Sequence, residues 1–205
     1  MTDNWPTIHA ERASLADDLA NLTKEQWATP SLCDGWTVHD VLAHQVSSAT
    51  LTPPSFLAKF IAAGFNFGKF AQKAVDQIGK DGPAATLAAF RTHMASTKSP
   101  PGPKDTWLGE TLVHSEDIRR PLGIAHDYPI AAVVKALDFF KGSNTLIGSK
   151  SRVAGLTLKA TDVDWTFGSG PLVEGPAVSL LMAMTGRKAH LDDLTGDGVA
   201  TLRSR

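Results

Sequence analysis

Cysteine occurs once in the chain, at Cys33. One thiol excludes an intrachain disulfide and suits a reducing compartment. Charge of either sign is also lacking in excess. Twenty Lys and Arg against 21 Asp and Glu leave a formal net charge of -1, so there is no global basic footprint for nucleic acid. Long apolar runs are missing as well. The most apolar stretch, residues 56–71, is interrupted by Lys59, Asn66 and Lys69 and does not read as a membrane span. The first residues, Met-Thr-Asp-Asn-Trp-Pro, lack the basic and apolar regions of a secretory signal. Internal repeats and low-complexity segments are absent. The expected setting is cytoplasmic, with no nucleic-acid and no membrane partner.

What is present is an ordinary globular composition, 205 residues with 42% hydrophobic and 20% charged, enough to bury a substantial core. Leu15, Leu19 and Leu22 mark one face of a helix over residues 8–22. Asp34-Gly35 is a turn signal, and Thr37 with Asp40 forms a shortened capping box that starts a helix over residues 38–49. Val41, His44, Gln45 and Ser48 share a face there. Pro53-Pro54 breaks the chain, a second apolar helix begins near Ser55, and residues 64–68 read as irregular. Pro83 starts a helix to about Ser96. Another opens at Asp105 or Thr106 and ends at Pro121 and Gly123. Residues 130–147 give one more, with Val133, Val134, Leu137, Phe140 and Leu146 as its apolar face.

After about Lys150 the period changes. Residues 156–160 and 164–167 alternate like strands, and 172–174 offer a third. A last helix follows Pro176, and residues 191–198 read as loop. The expectation is a mainly α protein: a helical bundle over residues 1–150 and a small α+β C-terminal portion over 151–205.

One arrangement carries specific chemistry. Glu110 and His114 lie four residues apart on a helix, so carboxylate and imidazole share a face. His44, from the earlier helix, would complete two imidazoles and one carboxylate, a common catalytic zinc set with one open position. The same set serves non-haem iron oxygenases. His93 and Asp117 are alternative donors. His39 points away from His44, while His9, His126 and His190 read as surface or loop residues. Asp117 also suits an ion pair with Arg119 or Arg120, and either arginine suits a substrate carboxylate. Phe56, Phe60, Phe65, Phe67 and Phe70 read as an apolar pocket wall or as core. An interfacial helix edged by Lys59, Lys69 and Lys73 is the weaker reading. Trp36 and Trp165 suit core or a stacked sugar ring. Cys33 suits a small filler, a fourth ligand or a reactive thiol.

Residues 32–44, Leu-Cys-Asp-Gly-Trp-Thr-Val-His-Asp-Val-Leu-Ala-His, resemble the first ligand segment of the mycothiol-dependent maleylpyruvate isomerase family. Residues 109–123, with Glu-Thr-Leu-Val-His, resemble the second, and residues 161–187 are similar to the small C-terminal portion of that family. The resemblance implies a DinB-like four-helix bundle with His44, Glu110 and His114 as the metal ligands and no catalytic residues beyond them. It implies a divalent cation, zinc first, with nickel or manganese as alternatives. It also implies mycothiol as thiol cosubstrate for transfer to, or isomerisation of, a small electrophile. A non-catalytic DinB-like metal-binding protein with a stress or sensing role is the alternative. A structural homodimer with core histidines comes third.

Overall fold

Thr37 and Asp40 show how the sequence sets the helix that matters most. In the computed structural model, which describes residues 3–145 and 147–205, Thr37 N–H donates to Asp40 Oδ2 at 2.9 Å and Asp40 N–H donates to Thr37 Oγ1 at 3.3 Å. The short Asp side chain completes the capping box, which satisfies two amide donors that a helix start otherwise leaves open. Helix α3 (Val38–Thr50) runs from this cap.

The chain divides into two compact units, Met1–His126 and Asp127–Arg205. The first holds α1 (Trp5–Asp18), α2 (Lys24–Trp27), α3, α4 (Pro53–Ala62), α5 (Phe67–Gly79), α6 (Pro83–His93) and α7 (Lys104–Leu122). Helices α1, α7, α3 and α6 pack in a closed ring, each on the next, and α5 lies against α3 and α6. Leu15 from α1 and Leu19 just past its end, Val41 and Leu42 from α3, Leu87 and Phe90 from α6 and Ile118 from α7 meet in one buried cluster. Removing such apolar surface from water is the main stabilising term of the bundle. Helix α7 ends in a left-handed Gly123 (φ 68°), with Ile124 N–H on the Arg119 carbonyl. Arg119 is fully buried inside the unit, with Nε donating to Asp18 at 2.7 Å and Nη1 lying 3.8 Å from Glu11.

The second unit holds α8 (Ile130–Phe140), α9 (Ser149–Arg152), β1 (Thr157–Ala160), β2 (Thr166–Gly168), β3 (Leu172–Gly175), α10 (Ala177–Met184), a 3-10 turn (Lys188–Asp193) and α11 (Val199–Arg203). Strand β1 is central, antiparallel to β2 with Leu158 opposite Phe167, and parallel to β3 with Leu158 opposite Val173. Helix α10 packs on α8 and β1 through an almost wholly apolar sequence.

Several expectations shift. Residues 64–68 are only partly irregular: Asn66 accepts from Lys69 N–H and caps α5, a helix not anticipated from the glycines around it. Pro53 and Pro54, read as a break, occupy the first turn of α4, where the missing proline N–H costs nothing. Helix α8 stops at Phe140, and Leu146 lies outside the described residues. Of residues 191–198, read as loop, the first three end the 3-10 turn, and α11 follows directly after them at Val199. His190, read as exposed, is buried, with Nδ1 3.4 Å from Asp193 Oδ2. The change of period near Lys150 marks where strands begin. The division of packing falls earlier, because α8 is held by α10 within the second unit.

Candidate metal centre

Glu110 and His114, paired by their spacing, and His44, joined to them by the family resemblance, come together within the first unit. His44 sits in the middle of α3, and Glu110 and His114 lie one turn apart on α7, which packs on α3. One donor atom from each lies within 4.8 Å of the other two. His44 Nε2 is 3.4 Å from Glu110 Oε1, and the His44 and His114 rings meet edge to face with centroids 4.9 Å apart. A zinc ion about 2.1 Å from each of two tetrahedral donors sets those donors about 3.4 Å apart. The His44–Glu110 spacing matches that value, so the residues fit a small divalent cation.

The surroundings fit too. His114 Nδ1 is 2.9 Å from Asp117 Oδ2, one turn further along α7. That contact leaves His114 Nε2 as the metal-facing nitrogen and fixes the tautomer, the usual outer support of a ligating histidine. Cys33 Sγ donates to the same Asp117 oxygen at 3.0 Å and lies 3.7 Å from His114 Nδ1. Cys33, His114 and Asp117 form a second group close enough to hold a cation. Their atoms are hydrogen-bonded to one another, which suits a support for His114. Ser48 Oγ donates a short hydrogen bond to Glu110 Oε1 from one turn beyond His44.

Glu110 is poised as an anion. Burial pushes its pKa up, but the hydrogen bond with His44, the charges of His44 and His114 and the Ser48 hydroxyl outweigh it together, and the carboxyl is held below its ordinary value. Arg12, buried on α1, feels the same carboxylate. Burial lowers the Arg12 pKa, and the Glu110 charge works the other way. The Trp36 ring lies with its centroid 5.1 Å from that of His44, and its Nε1–H donates to Gln72 Oε1 of α5 at 2.9 Å.

The other candidates fall elsewhere. His39 faces α6, where its Nε2 lies 2.8 Å from Thr86 Oγ1. His126 meets Glu11 at 2.9 Å, and His9 meets the Ser96 carbonyl at 3.2 Å. His93 joins no metal-capable group among the described residues. Arg119 is engaged with Asp18, Glu11 and Ser14. Trp165 is buried in the second unit, with Nε1–H donating to Asp138 at 3.0 Å.

The supports were less visible than the ligands. Ser48 is four residues after His44 and Asp117 three after His114, so helical spacing held both signals. Cys33 lies in a loop and Arg12 on a distant helix, where no local pattern points to the site.

Residues 8–99 match the family described as mycothiol maleylpyruvate isomerase N-terminal domain. The segment 32–44 lies inside that stretch. Two proteins of Mycobacterium tuberculosis, from strains CDC 1551 / Oshkosh and ATCC 25618 / H37Rv and described only as uncharacterized, are each 27% identical over 153 residues. The match spans 60% of this chain and 59% of theirs, under two thirds of their length. Two crystal structures of the mycothiol-dependent maleylpyruvate isomerase align at 15% identity over 95% of this chain and 91% of theirs. The TM-scores are 0.56 for a histidine-to-alanine mutant and 0.53 for the other. The resemblance read from the sequence holds, and the fold is that of the DinB-like isomerase: mostly helical, with a small C-terminal sheet.

Proposed function

With that family resemblance as premise, we propose that the chain is a metal-dependent enzyme. It would activate mycothiol, or a closely similar small thiol, for transfer to or isomerisation of a small electrophile. The observation that carries the reading is the convergence of His44, Glu110 and His114 at a spacing suited to one small cation.

A divalent cation, zinc on this donor set, supplies a site that deprotonates a bound thiol at neutral pH. The protein's own part is to hold and aim the donors. Asp117 accepts from His114 Nδ1–H and so assigns the ligating role to Nε2. Ser48 orients the Glu110 carboxylate. Two neutral imidazoles and one carboxylate offset one of the cation's two charges, and the remaining positive charge favours an anionic sulfur. Trp36 shields His44 on one side, which reduces access of water and strengthens the local electrostatics. Among the described residues no helix is long and apolar enough to cross a membrane, and the proposed setting for a small-thiol reaction is the cytoplasm.

The test is thiol consumption by metal-loaded protein with mycothiol and a panel of electrophiles that includes maleylpyruvate. Consumption that disappears on chelation and in His44→Ala supports the reading. Full metal occupancy with no thiol consumed by any electrophile would replace it with a metal-binding protein that does no chemistry. Full metal retention in His44→Ala, read by elemental analysis, would show that the ligand set is wrong.

A further inference from the structure

We propose that the α4–α5 hairpin is a docking surface for an anionic lipid bilayer. The argument begins with a helix that has nothing to hold. Helix α4 is ten residues long, its one charged residue is Lys59, and it contains no buried residue. Its inner side chains, Phe56 and Phe60, reach only a small aromatic cluster with Phe70, Ala63 and Leu51. Its outer stripe is bare: Leu57 is 54% exposed and Ile61, one turn on, 52%.

The turn that follows extends the stripe. Gly64 and Phe65 close α4 in a Schellman motif, with Gly64 N–H on the Ile61 carbonyl and Phe65 N–H on the Phe60 carbonyl. Both are left-handed, at φ 67° and 58°. A bulky residue is uncommon in that conformation, and here it stands 67% exposed at the tip of the hairpin. Phe67 adds a second exposed ring at the start of α5. Leu57, Ile61, Phe65 and Phe67 therefore make a run of large apolar side chains in water, the kind of surface that marks an interaction site.

Charge selects the occupant. Across the hairpin, residues 53–79, the charged side chains are Lys59, Lys69 and Lys73 against the single carboxylate Asp76. All three lysines are exposed. A symmetric contact between two copies of this surface would set three lysines of each copy against those of the other with one carboxylate per copy, Asp76, to offset them. A bilayer of anionic headgroups complements them and accepts the apolar side chains at the acyl boundary. At about 1.5 Å per residue the ten-residue helix spans about 15 Å, so it would lie on the membrane. This departs from the expectation of no membrane partner and stands independently of the thiol chemistry.

Sedimentation of the full chain with vesicles tests the proposal. Vesicles of phosphatidylcholine mixed with phosphatidylglycerol should pellet the protein, and phosphatidylcholine alone should not. Leu57→Glu with Ile61→Glu should lower the partition coefficient on the order of tenfold or more, as should raised salt. A set confined to exposed lysines, Lys59→Ala with Lys69→Ala, should lower it as well while leaving the apolar stripe and the Lys73 bond to the Ala62 carbonyl in place. Protein that stays in the supernatant, that pellets equally with neutral vesicles, or that binds unchanged in both variants overturns the proposal. A dimer in solution that Ile61→Glu dissolves, in protein that binds no vesicles, would assign the surface to a second copy instead.

Discussion

Asp117 Oδ2 lies 2.9 Å from His114 Nδ1, one helical turn away on α7, and anchors an imidazole that is grouped with His44 and Glu110. The contact gives the site a rigid member. A histidine held by a carboxylate cannot rotate or exchange tautomers freely, and the hydrogen bond raises its basicity as a ligand.

Asp117→Ala should therefore weaken metal binding about 10–100-fold, the usual cost of losing such a support. Asp117→Asn, which keeps an acceptor and loses the charge, should fall between it and the parent protein. Competition with a chelator of known affinity measures both. Unchanged affinity in Asp117→Ala would remove the role assigned here.

Ser48 donates to Glu110 from the face of α3 that also carries His44. A hydrogen bond to a charged group contributes about 1.5–3 kcal/mol, so Ser48→Ala should cost roughly tenfold or more in metal affinity. The sign with pH is defined. Glu110 is held below its ordinary pKa, and removing one of the interactions that holds it there raises its pKa. Proton competition then begins at higher pH, and the acid limb of metal binding should move upward in metal titrations across pH.

Arg119 is fully buried between Asp18 and Glu11. Arg119→Met should destabilise the first unit by roughly 3–5 kcal/mol in urea unfolding, because the buried Glu11 carboxylate loses a cationic partner. A loss well below about 1 kcal/mol would show that water or His126 compensates.

His39 gives a prediction for the apoprotein. Burial lowers its pKa below the ordinary histidine value, and Asp40 offsets part of this. Thr86 Oγ1, which donates to the Gly82 carbonyl, is left to accept from His39 Nε2–H, a bond that either protonation state can make, and burial is what favours the neutral ring. The unfolded chain takes up a proton near pH 6.5, before the folded one does. The stabilisation is thus present above about pH 6.5 and is lost as pH falls towards the folded pKa. Unfolding curves in urea at about pH 7.5 and about pH 5.5 should show the decrease, and His39→Gln should flatten it.

How far the sequence reached depended on the range of the signal. Glu110 and His114 were legible because a single helix turn relates them. Helix α3 was legible because Thr37 and Asp40 lie three residues apart. Helix α5 was missed, since Gly64 and Gly68 suggested an irregular stretch while Asn66 supplied the cap between them. The tail was missed because short 3-10 and helical turns lack a periodic pattern. That His44 meets α7 was expected from the family resemblance alone, as two helices 60-odd residues apart share no local code (~60). Arg12 and Cys33 had no such help, and only packing places them beside the ligands.

The three proposed donors and their supports, from Arg12 to Asp117, all belong to the first compact unit. The second unit contributes none of these ligands. Replacing that unit would therefore leave the proposed donor set intact, since every residue that would anchor the cation is encoded before residue 127.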